Sequence, residues 1–171
     1  IHNTPGQGVE FEIHIPFTLS VNRAALVSVA GSEFAVPLQD ILQVKHFSAA
    51  EIVHNDDSQG LFLPFGDALV QVSNLGYHLQ LEKEMMPAGS TSEGILAILF
   101  MQGDEQCAVA VEAIVEQREI IVKNLGSHLT YVRGISGVTL TGSGGIIPIL
   151  NLRELVAMHM LGGVVDSAPL G

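Results

Sequence analysis

The sequence predicts an all-β fold composed of two similar barrel-like subdomains. Between Gln106 and Asn151, short apolar runs are separated by glycines, which is typical of strands in a small barrel or sandwich. Near the N-terminus, apolar and polar residues alternate over Val9–Ile15 with the period of a half-buried strand. Two hairpin-like stretches, at 25–43 and 97–116, share one pattern. Together these observations indicate a β-protein with an internal repeat.

The composition allows a packed core and excludes several functions. The 171 residues are 47% hydrophobic, which suits one compact domain or two small subdomains that share a core. The formal net charge is −11 with only 7 lysines and arginines, so the chain lacks the basic stripe that phosphates require. We therefore expect no nucleic-acid partner. No apolar run approaches the roughly 18 residues of a spanning helix, so we also expect no direct membrane insertion.

The single cysteine, Cys107, lies within an apolar strand pattern and has no cysteine with which to form an intrachain disulfide. We expect a buried structural thiol there. The first residues also lack the basic and apolar segments of a secretory signal. The lack of intrachain disulfides fits a reducing cytoplasm, where we expect the protein to be located.

In the N-terminal half, apolar runs bounded by turn residues predict five short strands. These are Val9–Ile15, ending at Pro16, then Ala24–Val29, Phe34–Leu38, Leu61–Phe65 and Ala68–Val72. Residues 30–33 form a hairpin connection, and Gln39–Val44 is left open between helix and strand. The polar stretch from His46 to Gly60 predicts a surface loop.

In the middle of the chain, Asn74 is expected to cap a short helix that runs to Glu84. Pro87–Gly94 has the most flexible composition in the chain and predicts a linker or an exposed tip.

The C-terminal half predicts further strands and one helix. The strands are Ile95–Met101 and Cys107–Val111, which form a hairpin, followed by Glu119–Lys123, Ile135–Leu140 and Ile146–Leu150. Gly142–Gly145 supplies a tight turn between the last two. Leu152–Leu161 predicts a helix that ends at Gly162, and residues 164–171 predict an unstructured tail or linker.

The internal repeat covers both hairpin-like stretches. Ala25–Glu33 aligns with Ala97–Glu105, and after one inserted residue, Gln106, Phe34–Leu38 aligns with Cys107–Val111. Chance similarity of two hairpins is the alternative. The simplest physical interpretation is two similar subdomains, each small for independent stability, that pack on one another.

No stretch of the sequence carries a recognisable catalytic, cofactor or metal site. His54 with Asp56 and Asp57 comes nearest to a metal site, but these residues lie in a polar stretch typical of solvated surface. The glycines at Gly6–Gly8 and Gly142–Gly145 are followed by strands, whereas a phosphate cradle requires a helix N-terminus. We assign no catalytic, cofactor-binding or metal residue.

Several segments together resemble one known family. Residues 6–20, GQGVEFEIHIPFTLS, resemble the junction in chemotaxis histidine kinases of the CheA family at which the ATP-binding domain runs into the regulatory CheW-like domain. Three later segments are similar to motifs of that domain, in the same order: EIIVKNLG at 119–126, GISGVTL at 134–140, and GSG with ILN at 142–151. Ser143 and Asn151 stand where the family usually has aspartate.

The resemblance implies two SH3-like five-stranded β-barrel subdomains in a pseudo-twofold relation, with a few short helices and no catalysis. It implies a regulatory domain that docks the rest of the kinase chain onto CheW-type adaptors and the cytoplasmic tips of chemoreceptors, at the membrane only through those partners. Residues 1–16 would end the ATP-binding domain, 17–161 would be the CheW-like domain and 162–171 a linker. Residues 17–23, FTLSVNR, most resemble kinases of pilus-type (twitching motility) systems.

The candidate partner-binding residues share apolar neighbours on both periodic faces. They are Ile41, Val44, Ile121, Val122 and Leu150. The alternative function is a small-molecule-binding β-barrel or an enzyme, which requires a concave pocket with convergent polar groups. The sequence alone nominates no such set.

Overall fold

The computed structural model describes residues 2–4, 8–10, 21–55, 60–85, 87, 94–123 and 132–162. The remainder of the predicted N-terminal strand beyond Glu10, most of the predicted linker at 87–94 and the tail after Gly162 lie outside these residues. No helix within the described ranges is long and apolar enough to cross a membrane.

The described residues form thirteen strands, two α-helices and two 3₁₀ turns. In chain order the strands are β1 (His2–Thr4), β2 (Gly8–Glu10), β3 (Val21–Val29), β4 (Ser32–Pro37), β5 (Gln43–Phe47), β6 (Val53–Asn55), β7 (Gly60–Phe65), β8 (Ala68–Asn74), β9 (Ile95–Gln102), β10 (Glu105–Ala110), β11 (Ala113–Ile121), β12 (Ile135–Leu140) and β13 (Ile146–Leu150). The helices are α1 (Leu75–His78) and α2 (Leu152–Gly162), and the 3₁₀ turns are Leu38–Asp40 and Ala49–Glu51.

Two main sheets organise the chain, and a separate ladder pairs β1 with β2. The first sheet, subdomain 1, has the strand order β11-β3-β4-β13-β12. Lys123 and Val138 exchange two backbone hydrogen bonds of 2.9 and 3.1 Å, which join the end of β11 to β12 and close this sheet into a barrel. The second sheet, subdomain 2, has the order β5-β9-β10-β8-β7-β6. The predicted all-β class with two barrel-like subdomains is confirmed, and β6 adds a short sixth strand to subdomain 2.

The chain contains one succession of strands twice, and each of these two repeats contributes strands to both subdomains. The first repeat is β3, β4, β5, β7, β8 and α1, and the second is β9, β10, β11, β12, β13 and α2. Exchanging each strand for its counterpart converts the order β11-β3-β4-β13-β12 into β5-β9-β10-β8-β7, which is the order observed in subdomain 2. In each repeat the first hairpin therefore lies in one subdomain and the remaining strands lie in the other.

The registers of the two first hairpins show which residues correspond. Ala24 pairs with Pro37, and Ala97 pairs with Ala110, with no residue inserted in either hairpin. The inserted Gln106 of the sequence alignment is therefore wrong. The alignment matched two turn glycines, but Gly31 is the second residue of its turn and Gly103 is the first of its own.

Each first hairpin is buried on both faces. One face of β3–β4, with Leu26 and Ala35, packs inside subdomain 1, and the counterparts Leu99 and Ala108 pack inside subdomain 2. The opposite faces meet each other between the subdomains. This shared core contains Ala25, Val27, Phe34 and Val36, their counterparts Ile98, Phe100, Cys107 and Val109, and helix residues that include Leu75 and Leu152.

Both helices begin at counterpart asparagines, of which Asn74 is the last residue of β8 and Asn151 follows β13 directly. Asn74 Oδ1 accepts a 2.8 Å hydrogen bond from the Gly76 N–H, so the predicted cap is confirmed. Asn151 Oδ1 accepts one of 3.3 Å from the Glu154 N–H in the same way. The helix after Asn74 ends at His78 and does not reach Glu84, whereas the predicted C-terminal helix is confirmed over Leu152–Gly162.

The early end of α1 follows from a reversal of the chain. Gln80 adopts a left-handed φ of 58°, which takes the backbone out of the helix. The N–H groups of Leu81 and Glu82 then donate to the carbonyl of Gly76. The Glu82 carboxylate accepts a hydrogen bond from the Asn74 side chain, so the capping residue holds both ends of the turn.

The predicted surface loop at 46–60 is wrong in its described part, because strand β5, a 3₁₀ turn and strand β6 occupy it. Phe47 pairs with Ile95 of β9 and is fully buried, and Ile52 is 7% exposed. The stretch Gln39–Val44, which the sequence left undecided between helix and strand, contains the end of a 3₁₀ turn and the start of β5. Likewise β11 begins at Ala113, not at Glu119, because it pairs with β3 along its whole length. Local polarity concealed both strands, since their pairing partners lie far away in the sequence.

A capping box stabilises the 3₁₀ turn that follows β5. The Glu51 carboxylate accepts hydrogen bonds from the Lys45 ammonium at 2.8 Å and from the Ser48 N–H and hydroxyl at 2.9 Å each. These donors, led by Lys45, lower the pKa of Glu51 from 4.5 to about 2.

We expect an NMR pH titration of the Glu51 side-chain carboxyl carbon to give a midpoint near 2. Because the folded-state pKa is depressed, the stabilisation is complete above pH 4.5 and is lost as the pH falls towards 2. Lys45→Met should move the midpoint back towards 4.5. A wild-type midpoint at the ordinary value, or one that is indifferent to Lys45→Met, would contradict this hydrogen-bond arrangement.

The exchanged strands lead to a second prediction. A chain divided at residue 90, between the repeats, should give two fragments that each fail to form a folded monomer, because each lacks strands of both sheets. Mixing the fragments should restore a one-to-one complex with dispersed NMR signals. A folded monomer from either fragment alone would show that the repeats are independent.

Candidate functional site

The outer face of subdomain 1 carries three exposed apolar side chains in one row across three strands. The exposed fractions are 53% for Ile121, 41% for Leu140 and 69% for Ile146. Leu140 and Ile146 are direct partners in the β12–β13 hairpin. Ile121 lies opposite Leu140, because Lys123, two residues further on, bridges Val138, two residues earlier on β12. We call Ile121, Leu140 and Ile146 the apolar row.

Strand alternation explains why these residues face outward. Their sequence neighbours Ile120, Thr139 and Ile147 point into the barrel, and each is 2% exposed. The turn at Thr141–Gly145 fixes the register of the hairpin, since the Thr141 N–H donates to the Gly145 carbonyl at 2.8 Å. A shift of one residue would bury the row and expose the core.

A groove of about 350 Å³ runs beside the row between β11 and β12. The Arg118 guanidinium lies in its wall, donates to the Leu140 carbonyl at 3.3 Å and approaches the Glu116 carboxylate at 3.3 Å. An apolar strip flanked by paired charges is typical of a protein-binding surface. Within the described residues, no group of three or more His, Cys, Asp or Glu side chains could hold a metal ion.

The structure does not bring the five candidate residues of the sequence together on one surface. Ile121 belongs to the apolar row, whereas Val122 packs partly against the core of subdomain 1. Ile41 and Val44 pack partly against the shared core, and Val44 lies in subdomain 2.

Leu150 is fully buried, so its prediction as a surface residue is wrong. It ends β13 with its side chain in the shared core, in contact with the helix that follows. Val122 and Leu150 both line a cavity of about 290 Å³ in subdomain 1.

Sequence reasoning missed Leu140 and Ile146. A signal for them existed, because they flank the glycine-rich turn that the sequence predicts. A hairpin closed over that turn places the two residues opposite each other, outside the barrel if Thr139 and Ile147 face inward.

The expected thiol environment of Cys107 is confirmed, since Cys107 is 8% exposed within the shared core. Burial raises the pKa of the Cys107 thiol above its usual value, and the negative charge of Glu105 raises it further. The thiol is therefore protonated at neutral pH.

The contrast between Leu150 and Ile146 gives a stability prediction. Leu150→Ala should lower the free energy of unfolding by about 2–5 kcal/mol, because it leaves a void in a core that both subdomains share. Ile146→Ala, as the exposed control, should change it by less than about 0.5 kcal/mol. Urea unfolding followed by circular dichroism measures both. Similar decreases in the free energy of unfolding for the two variants would contradict the assignment of Leu150 to the core and of Ile146 to the surface.

Comparison with known proteins identifies the family of this fold. A family profile described as a CheW-like domain matches residues 23–159. The chain is 28% identical over 156 residues to the chemotaxis protein CheA of Bacillus subtilis (strain 168), covering 91% of this chain and 22% of that protein. It is 30% identical over 157 residues to the chemotaxis protein CheA of Rhizobium meliloti (strain 1021), covering 92% of this chain and 20% of that protein.

A third relative is the sensor histidine kinase CheAY of Helicobacter pylori, 27% identical over 158 residues, with 92% of this chain and 19% of that protein covered. The chain thus spans about a fifth of the length of these relatives.

A known structure agrees with the fold. The scaffolding protein TtCheW from Thermoanaerobacter tengcongensis superposes with a TM-score of 0.61 at 15% identity, covering 79% of this chain and 92% of that one. Because the profile covers most of the sequence and the strands follow the same architecture, the chain belongs to the CheW-like domain family.

Proposed function

We propose that this chain is the coupling domain of a chemotaxis-type histidine kinase, with a CheW-type adaptor as its direct partner. Its role in chemotaxis signalling is non-catalytic and consists of holding and positioning other proteins. The single observation that carries the adaptor proposal is the apolar row, an ordered strip of exposed Ile and Leu side chains on a rigid barrel.

The energetics of the row suit a protein partner. Fully burying one exposed Ile or Leu side chain contributes about 1.5–3 kcal/mol. Since the three side chains are already partly buried, docking on them would contribute on the order of 3 kcal/mol. That amount is sufficient for the centre of an interface whose rim supplies polar contacts. The formal net charge of −11 would favour a partner surface with basic groups around an apolar centre.

The intertwined fold supports a coupling role. A partner on the apolar row contacts β11, which pairs along its length with β3. The other face of β3 packs through Ala25 and Val27 into the shared core with β9. A displacement of subdomain 1 by a partner would therefore carry subdomain 2 with it as one body, which suits the transfer of a state to the kinase.

The domain boundaries and the wider assembly are part of the proposal. Residues 1–16 would end an ATP-binding domain, 17–161 would form the CheW-like domain and 162–171 would be a linker. The β1–β2 ladder supports the first boundary, since it belongs to neither main sheet. The chemoreceptor tip would join the adaptor as a partner, which places the domain in receptor arrays on the cytoplasmic side. The pilus-type assignment stays a prediction from residues 17–23.

The test is a charge placed in the apolar row. Ile146→Glu should weaken binding of a CheW-type adaptor at least about tenfold in isothermal titration calorimetry. The reason is that a carboxylate loses its hydration in an apolar interface, which costs binding free energy. Leu81→Glu is the matched control, since Leu81 is also exposed, at 48%, but lies outside the row. It should leave the affinity within about twofold.

The proposal of an adaptor fails if the wild-type chain does not bind at high micromolar concentration. The location of the interface fails if both glutamate variants bind as the wild type does.

A further inference from the structure

At three positions that are apolar in subdomain 1, subdomain 2 has a different kind of side chain. Val72 pairs with Ala108 in subdomain 2 as Ile149 pairs with Ala35 in subdomain 1, so the residues that follow, Ser73 and Leu150, are counterparts. The residues before the two alanines, Cys107 and Phe34, are counterparts in the same way. His78 and Leu155 each come four residues after the asparagine that caps their helix.

In subdomain 1 these positions are filled by ordinary core residues. Leu150 is fully buried, Leu155 is 3% exposed and Phe34 is 9% exposed. In subdomain 2 the same positions hold Ser73, His78 and Cys107, and an open cavity of about 260 Å³ lies against them. Val156 gives it further apolar wall, and Glu105 is the charged side chain at its edge among the described residues.

The cavity is lined by a buried polar pair. Ser73 Oγ and His78 Nε2 are 2.7 Å apart, and the two residues are 8% and 3% exposed. Burying polar groups costs free energy even when they are paired, and two leucines serve at the counterpart positions. A serine hydroxyl has one donor and two acceptor sites, so its bond to His78 leaves it able to bond a ligand as well.

We propose that this cavity is a binding site for a small uncharged molecule that carries one hydrogen-bonding group and an apolar ring or chain. The Ser73 hydroxyl binds the polar group, and Cys107 and Val156 contact the apolar part. An apolar cavity of roughly 150 Å³ already holds benzene, so 260 Å³ accommodates a substituted ring. Glu105 and the acidic surface repel anions.

The position of the cavity connects it to coupling. Cys107 and Val156 both belong to the shared core, so a bound molecule contacts residues on which the packing of the two subdomains depends. Binding at this site and docking on the apolar row involve different residues and are measured separately.

Three matched probes test the site on the 171-residue chain: phenol, benzene and benzoate. In amide NMR spectra, phenol at millimolar concentration should shift the signals of residues 71–73, 78 and 105–108. Benzene should bind at least about threefold more weakly because it lacks the hydroxyl, and benzoate should not bind. If phenol leaves these signals unchanged at 10 mM (about the limit of useful affinity for such a probe), the site does not exist. Binding of benzene as tight as that of phenol would overturn the role of the Ser73–His78 pair.

A variant built from the other repeat supplies the matched control. Ser73→Leu with His78→Leu installs the counterpart residues, and it should abolish phenol binding and raise the melting temperature. Persistent phenol binding in a folded double variant would overturn the assignment.

If the double variant does not fold, the wild-type thiol gives a second measurement. Cys107 is the only cysteine, so its labelling by N-ethylmaleimide reports on one site. Phenol should slow this labelling at least about threefold, and benzoate should not. Unchanged labelling in the presence of phenol would also overturn the proposal.

Discussion

The shared core between the two first hairpins is the constraint on which the rest of the structure depends. Hairpin β3–β4 is completed into a barrel by strands of the second repeat, and hairpin β9–β10 by strands of the first. Each hairpin is thus buried on both faces, one inside its own subdomain and one against its counterpart. Because burial of apolar surface is the main stabilising term, neither repeat has a complete core of its own.

Under the proposed coupling role, this arrangement provides the mechanical connection between the two subdomains. Small subdomains joined by a linker would move independently, whereas in this fold the chain crosses between the subdomains twice, from β4 to β5 and from β10 to β11. Arg153 of α2 adds a polar tie, since its Nε donates to the Met101 carbonyl at 2.9 Å and its guanidinium lies 3.4 Å from the Asp40 carboxylate. A surface on one subdomain is therefore mechanically connected to the other, which is the property that a coupling domain requires.

The asymmetry between the repeats is as informative as their symmetry. The counterpart asparagines at 74 and 151 cap both helices, and the leucines that follow them both enter the shared core. Against this common pattern, the polar cavity of subdomain 2 is a local departure. Function is expected at such departures, because packing alone does not account for them.

Much of the fold could be predicted from local pattern. The apolar runs Ile135–Leu140 and Ile146–Leu150, separated by glycines, and the predicted helix that begins at Leu152 are elements whose boundaries match the structure. What failed depends on partners far away in sequence. Strand β5 looks polar until Phe47 is placed against Ile95, and β11 looks like loop until β3 pairs with it.

The same limit applies to the site. The apolar neighbours of Ile121 identify it in the sequence, but Leu140 and Ile146 become a surface only once the hairpin register is known. Leu150 resembles them in sequence and yet lies in the shared core. The exchange of strands between subdomains could not be predicted from the sequence either, because an internal repeat alone does not determine which strands pair.

The most direct measurement of the central claim is native-state hydrogen exchange, read strand by strand at low denaturant. If the exchanged strands unite the two subdomains, the slowest amides of β3 and β4 and those of β9 and β10 will open with one common free energy, equal to that of global unfolding. If the amides of one hairpin exchange through a separate, lower-energy opening while the other stays protected, the subdomains are independent units and coupling through a shared core is wrong.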